Sequence, residues 1–252
     1  MSRKVPYNKS YELVNKINSV LNIILICTTV ISIIILILNK FENYSQHSRV
    51  LSVLLVILSV SYFVIEILQR HLFHEVEFER KNDFIDNGLK LKLSEENSIG
   101  YFNNDDLKKG IYKLGVDCFE SSFFTKTITK KMLKKHLIQT GIIFLLVFTL
   151  IFTVADSVLI QVLLLALPYS VFNETIKLYR LHKNTNTVFN KFMHIFSTVK
   201  KTKLDYLIID NIINYEKSLS RAAIKLDSTI FNNENSDLAT KWSEIKVAQK
   251  IK

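Results

Sequence analysis

Residues 50–68 read VLSVLLVILSVSYFVIEIL, nineteen residues with a single charge, Glu66, close to the end. A helix rises 1.5 Å per residue, so a run of this length crosses a hydrocarbon layer of about 30 Å. Lipid offers no partner to backbone amides, and a helix is the segment that bonds all of its own. Three more runs follow the same rule. Residues 20–38 carry no charge, and only Asn22, Thr28, Thr29 and Ser32 are clearly polar. Residues 137–155 and 157–173 carry none. Read as one helix, 137–173 would extend roughly 55 Å. A break is therefore expected at Ala155-Asp156-Ser157, where Asp156 or Ser157 can cap the next helix. The first run is longer than the roughly 7–15 apolar residues of a signal peptide and has no A-x-A-like cleavage site after it, so it reads as a signal anchor.

The expected fold is all-α: an integral membrane protein with four transmembrane helices in two hairpins and cytoplasmic helical segments. Its parts are a cytoplasmic N-terminus (1–19), a first transmembrane hairpin (20–68), a cytoplasmic segment (69–136), a second transmembrane hairpin (137–174) and a cytoplasmic helical tail (175–252).

Composition agrees. The chain of 252 residues is 48% hydrophobic, yet it holds 33 Lys+Arg against 23 Asp+Glu, a net charge of +10. Only 5 Gly and 2 Pro exclude collagen-like, low-complexity and turn-rich all-β designs, and 2 Cys exclude a disulfide scaffold. Apolar and basic residues occupy different stretches. Of the 33 basic residues, 31 fall in 1–19, 69–136 and 175–252, and only Lys40 and Arg49 fall between the first two runs. The positive-inside rule then places both termini and the central segment in the cytoplasm. The clusters Lys130, Lys131, Lys134, Lys135 and Lys177, Arg180, Lys183 flank the second hairpin and suit anionic headgroups. Nucleic acid is not an expected partner, because no groove-reading motif or aromatic-interleaved basic stripe is present. Cys27 lies in a span and Cys118 in a reducing compartment, so both are expected to be free thiols.

Outside the bilayer, residues 69–87 continue the second helix, with Leu72, Phe73, Val76 and Phe84 on its apolar side. Four of the five glycines, Gly88, Gly100, Gly110 and Gly115, mark 88–115 as the irregular stretch, a functional loop or a connector. Helix is expected again over 119–136. The tail reads as helix to about Ile230, a break at Asn232-Asn233-Glu234-Asn235, and a last short helix capped by Ser236 and containing Trp242.

Motifs of catalysis are missing: no H-E-x-x-H, C-x-x-C, G-x-S-x-G or G-x-G-x-x-G occurs. Gly110 and Gly115 have phosphate-loop spacing, but Val116 and Asp117 stand where Lys and Ser/Thr are required. His71 and His74 have the spacing of a surface helix as readily as that of a metal pair. No catalytic residue, cofactor site or metal site is assigned. Polar residues inside the spans are the candidates. Ser52, Ser59 and Glu66 recur every seven residues. Asn22, Thr29 and Ser32 share a stripe in the first run, and Gln161 and Pro168 share one with Ser157 in the fourth. Lipid is a poor home for them, so they either bond helix to helix or line a pore between subunits. Pro168 would also kink its helix.

The layout resembles that of the bacterial four-transmembrane effectors that accompany cyclic-oligonucleotide synthases in antiphage defence. The likeness rests on Asp83-Phe-Ile-Asp86-Asn87, Gly100-Tyr-Phe-Asn-Asn104 and Phe119-Glu-Ser-Ser-Phe-Phe124. In the tail it rests on Tyr215-Glu216, Arg221, Ile230-Phe231-Asn232 and Trp242-Ser-Glu-Ile245. The resemblance implies a non-enzymatic homo-oligomer that permeabilises the inner membrane on an infection signal. That signal would be a cyclic oligonucleotide or a nucleotidyltransferase partner. Asp83, Asp86, Asn87, Tyr101, Asn103 and Asn104 are the expected regulatory loop. The alternative is a membrane anchor or signalling module whose cytoplasmic parts recruit a partner.

Overall fold

The computed structural model describes residues 5–38, 45–154, 158–198 and 201–251. The break expected at Ala155-Asp156-Ser157 lies outside them, as do the side chains of Gln161 and Pro168. Among the described residues there are six α-helices and no strand. They are α1 (Asn8–Leu38), α2 (Ser45–Leu89), α3 (Ile111–Val154), α4 (Val158–Thr198), α5 (Lys201–Ala222) and α6 (Ser228–Ala248). α1 and α2 are both long and apolar enough to cross a membrane. The third and fourth apolar runs form the adjoining ends of α3 and α4.

Pro6–Arg80 is one compact unit, a hairpin of α1 and the first part of α2. The buried positions of α1 are Val14, Leu21 and Thr28, which continue the spacing of seven from Tyr7 just before the helix, so the helix presents one narrow seam. The opposite face is apolar too: Ile23 and Ile26 are 60% and 63% exposed, and Val50 and Phe63 of α2 are 65% and 62% exposed. A helix that is apolar all round needs a non-aqueous surrounding or further protein on its outer face. At the open end of the hairpin the Tyr11 hydroxyl donates to the Glu77 carboxylate, which also accepts from Arg80 Nε at 2.9 Å.

The second unit holds the chain from Lys81 onward. Its frame is the antiparallel pair α3 and α4. The register is set by Thr140 against Thr175 (2.8 Å), Thr129 against His182 (3.3 Å) and Phe123 against Phe189 (ring centroids 5.7 Å). At the end of this pair away from the apolar runs lies an aromatic core. The Phe119 ring is its centre, with Trp242 at 5.1 Å, Phe189 at 5.2 Å and Phe192 at 5.6 Å. α5 closes one side through Ile208 and Tyr215, and α6 another through Leu238 and Trp242. A smaller cluster of Ile128, Met132, Leu133 and Leu178 takes Ile224, Leu226, Ile230 and Phe231.

Two sequence expectations need correction. The irregular stretch is 90–110 rather than 88–115: Gly88 lies inside α2 and Gly115 inside α3. They are there for close approach. A Cβ on Gly88 would sit 2.5 Å from Leu114 Cδ1, and one on Gly115 would sit 2.7 Å from Ile208 Cγ2. The helix break in the tail is also elsewhere. The chain leaves helix at Ala222, and α6 then runs through Asn232–Asn235 unbroken. Asparagine's weak helix propensity loses to burial of Phe231 on one side and Leu238 and Trp242 on the other. The cap is Asp227, whose carboxylate accepts from the Thr229 and Ile230 amides at 2.9 and 3.1 Å.

α5 ends on Ala223 at φ 48°, with its N–H on the Leu219 carbonyl at 3.0 Å. This is the left-handed cap position that glycine fills without steric cost. Ala223→Gly is expected to stabilise this unit by about 1 kcal/mol. A higher urea midpoint of the full chain in detergent, followed by the fluorescence of Trp242, would show it. An unchanged or lower midpoint would mean that the left-handed backbone carries no strain.

Candidate functional site

The loop 90–110 is tied to the helices at two places, and both use residues singled out in the sequence. Asp83, Asp86 and Asn87 stand at i, i+3 and i+4 on the last turns of α2, so they share a face. Asp83 accepts from the Ser98 amide and hydroxyl, each at 2.7 Å. Asn87 Nδ2 donates to Asp83 Oδ1 at 3.0 Å and to Ser98 Oγ at 2.9 Å. Asp86 accepts from the amides of Leu93 and Ser94 and from the Ser94 hydroxyl at 2.5 Å. Burial works against the charge on Asp86. The bonds from Ser94 and Leu93 outweigh it and hold the carboxyl below its usual range. These two acids act as caps for loop amides, the task that backbone donors otherwise leave undone.

The second tie is buried. Asn103 and Asn104 meet one face of α3 that carries Lys113, Asp117 and Glu120. Asn104 Nδ2 donates to Asp117 Oδ1 at 2.9 Å and to Glu120 Oε2 at 2.7 Å. Asn103 Nδ2 donates to Glu120 Oε1 at 2.9 Å. The Lys113 ammonium sits 3.1 Å from Asp117 Oδ2 and fills the place a cation would take there. α6 joins from the other side: Trp242 Nε1 donates to Asn104 Oδ1 at 3.2 Å, and Lys246 Nζ donates to the Asn103 carbonyl at 3.0 Å. Asn104 and Asp117 are completely buried, and Lys113 and Glu120 nearly so. Tyr101 packs edge-on against Phe102, with ring centroids 4.8 Å apart. The arrangement holds loop, α3 and α6 in one state. Among the described residues no group of three or more His, Cys, Asp and Glu is placed to bind a metal.

Burial pushes the Glu120 carboxyl up to about 7, against the bonds from Asn103 and Asn104, and the Asp117 charge adds to the rise. Burial likewise raises Asp117, by more than Lys113 and Asn104 lower it. Folded Glu120 keeps its proton to about pH 7, whereas in an unfolded chain it ionises near 4.3. The folded state binds more protons between those values, so stability falls as pH rises through that window and then levels off. A shift of this size corresponds to about 3 kcal/mol. Asp117 acts with the same sign. Glu120→Gln is expected to lose most of the slope of urea midpoint against pH between 5 and 7.5. Equal slopes in variant and wild type would remove Glu120 from this role.

The candidates inside the apolar runs are placed differently from one another. Asn22 and Ser59 are exposed, while Thr29, Ser32, Ser52 and Glu66 are half-buried. The hydroxyls turn back on their own helices: Thr29 to the Leu25 carbonyl (2.7 Å), Ser32 to Thr28 (2.7 Å), Ser52 to Ser48 (2.8 Å) and Ser59 to Leu55 (2.8 Å). That bond satisfies a hydroxyl in an apolar setting without a partner helix. Glu66 pairs with Arg70 one turn on, at 2.5 Å. Among the described residues a helix-to-helix hydroxyl bond does join Thr140 to Thr175, a pair the sequence did not single out. Sequence reading also missed Lys113, Asp117 and Glu120 as a set, although their spacing places them on one helix face among apolar neighbours. Cys27 is exposed, Cys118 is buried, and neither forms a disulfide.

No protein-family model matches the chain, and comparison with curated proteins and with solved structures finds no similar one.

Proposed function

We propose that the chain is a non-enzymatic, multi-pass effector of the bacterial inner membrane. Four spans form two hairpins, and both termini and the helical body of the second unit lie in the cytoplasm. On an infection signal, a cyclic oligonucleotide or a nucleotidyltransferase-type partner, subunits assemble and permeabilise the membrane. The observation that carries this reading is the continuity of α3 and α4. Each is one unbroken helix, with buried aromatics of the body at one end and a charge-free run at the other. Leu137, Ile142 and Leu145, on the apolar end of α3, are exposed, as a lipid-facing surface requires. A change in how the body packs would move both helices as levers in the bilayer.

The test is expression in a bacterium loaded with a membrane-potential dye, with and without the neighbouring gene's product. Depolarisation and growth arrest under inducing conditions are expected. Unchanged potential and growth would sink the reading.

The self-bonded hydroxyls favour a second reading, a membrane-anchored signalling module, because they line no polar path of their own. Exchanging the spans for unrelated ones separates the two. An anchor keeps its activity, and a permeabilising effector loses it.

A further inference from the structure

Between residues 121 and 204 the sequence has twelve Lys+Arg and two acids, Asp156 in the turn between the apolar runs and Glu174. The fold gathers half of those cations at one level. Thr140 with Thr175 and Thr129 with His182 fix the antiparallel register of α3 and α4. Lys130, Lys134 and Lys135 of α3 lie between those two rungs, and so do Lys177 and Arg180 of α4. Lys183 is one residue beyond the second rung. Lys130, Lys134, Lys135, Arg180 and Lys183 are exposed and Lys177 is half-buried. Among the described residues none of the six is paired with an acid. Neighbouring charges are already engaged or lie outside the ring. Lys131 is taken by Glu234 of α6 at 2.5 Å, Asp227 caps α6, and the Lys126 ammonium lies 3.3 Å from the centre of the Phe189 ring. The apolar runs begin at Leu137 on α3 and end at Asn173 on α4, directly beside this ring of charge.

We propose that this collar is a binding surface for the phosphates of anionic phospholipids, selecting them over zwitterionic ones in the lipid shell around α3 and α4. The inference rests on the membrane reading above. Six uncompensated cations beside one another repel, and an anionic headgroup at the edge of the hydrocarbon relieves that repulsion. Its acyl chains lie along the apolar runs at the same time. Each cation near an anionic surface contributes a favourable term that salt screens.

The test uses the full chain reconstituted in vesicles of mixed phosphatidylcholine and phosphatidylglycerol, with trace spin-labelled lipid of either kind. The expected result is a motionally restricted population with preference for phosphatidylglycerol of about fivefold, the contribution of a single such charge. Near 1 M salt, where the screening length is about 3 Å, the preference should collapse. The variant K130Q/K134Q/K135Q/K177Q/R180Q/K183Q should associate equally with both lipids. The charge-keeping variant K130R/K134R/K135R/K177R/K183R should keep the preference, which separates loss of charge from loss of fold. Equal association of the wild-type chain with both lipids would overturn the collar. So would a preference that survives the glutamine substitutions. Absence of any restricted lipid would overturn the membrane reading itself, a different outcome from equal association.

Discussion

Trp242→Ala is expected to destabilise the helical body by about 3–5 kcal/mol. Trp242 is completely buried, and its ring stands against Phe119 at 5.1 Å, the centre of the aromatic core. Truncation removes that contact area and leaves a cavity between α3 and α6. It also strips Asn104 Oδ1 of its indole donor inside the core, where an unsatisfied acceptor costs about 1–3 kcal/mol within that total. Since α6 is anchored by Leu238 and Trp242, the loss should appear first as release of α6. Hydrogen exchange of α6 amides measures this. Exchange should quicken in α6 and in 103–106 before it does in the paired segments of α3 and α4. A uniform increase through the body, or none, would mean that α6 is not held through this residue.

Asp117→Ala is expected to cost a similar amount, about 3–5 kcal/mol, for an electrostatic reason. The partner left behind is Lys113, whose side chain is 4% exposed and whose ammonium lies 3.1 Å from Asp117. An ammonium stripped of its counter-charge in that position loses the interaction that offset its desolvation. Replacing both groups distinguishes this from a packing effect. Lys113→Met with Asp117→Leu removes both charges and fills the volume, and such exchanges of buried pairs are often neutral or stabilising. The double variant is therefore expected to recover most of the urea midpoint lost by the single one. A double variant as unstable as Asp117→Ala would show that the aspartate acts through Asn104 and not through the lysine.

The apolar helices were legible because composition alone decides them: nineteen residues with one charge, as in 50–68, leave few alternatives. The loop residues were legible as a set, since Asp83, Asp86, Asn87, Asn103 and Asn104 recur in motif-like clusters around it. Their partners were not. Asn104 reaches Asp117 across 13 residues, Glu120 across 16 and Trp242 across 138. Helix periodicity reports local spacing and carries no information on such pairings. Nor does local spacing show that Asp83 and Asp86 are buried and capture loop amides. The start of α6 was misplaced for a related reason. Asn232–Asn235 breaks helices by local propensity, and the packing of Phe231 and Trp242 that overrides it is tertiary.

The central claim is that two hairpins lie in the bilayer with the helical body on the cytoplasmic side. Single cysteines placed in a Cys27→Ser, Cys118→Ala background test it most directly, with a membrane-impermeant maleimide applied to intact cells. Glu42→Cys and Asp156→Cys, in the two predicted outer turns, should be labelled in intact cells. Lys92→Cys and Asn235→Cys should be labelled only after the membrane is opened. Labelling of position 92 or 235 in intact cells, or of position 156 only after lysis, would contradict the account.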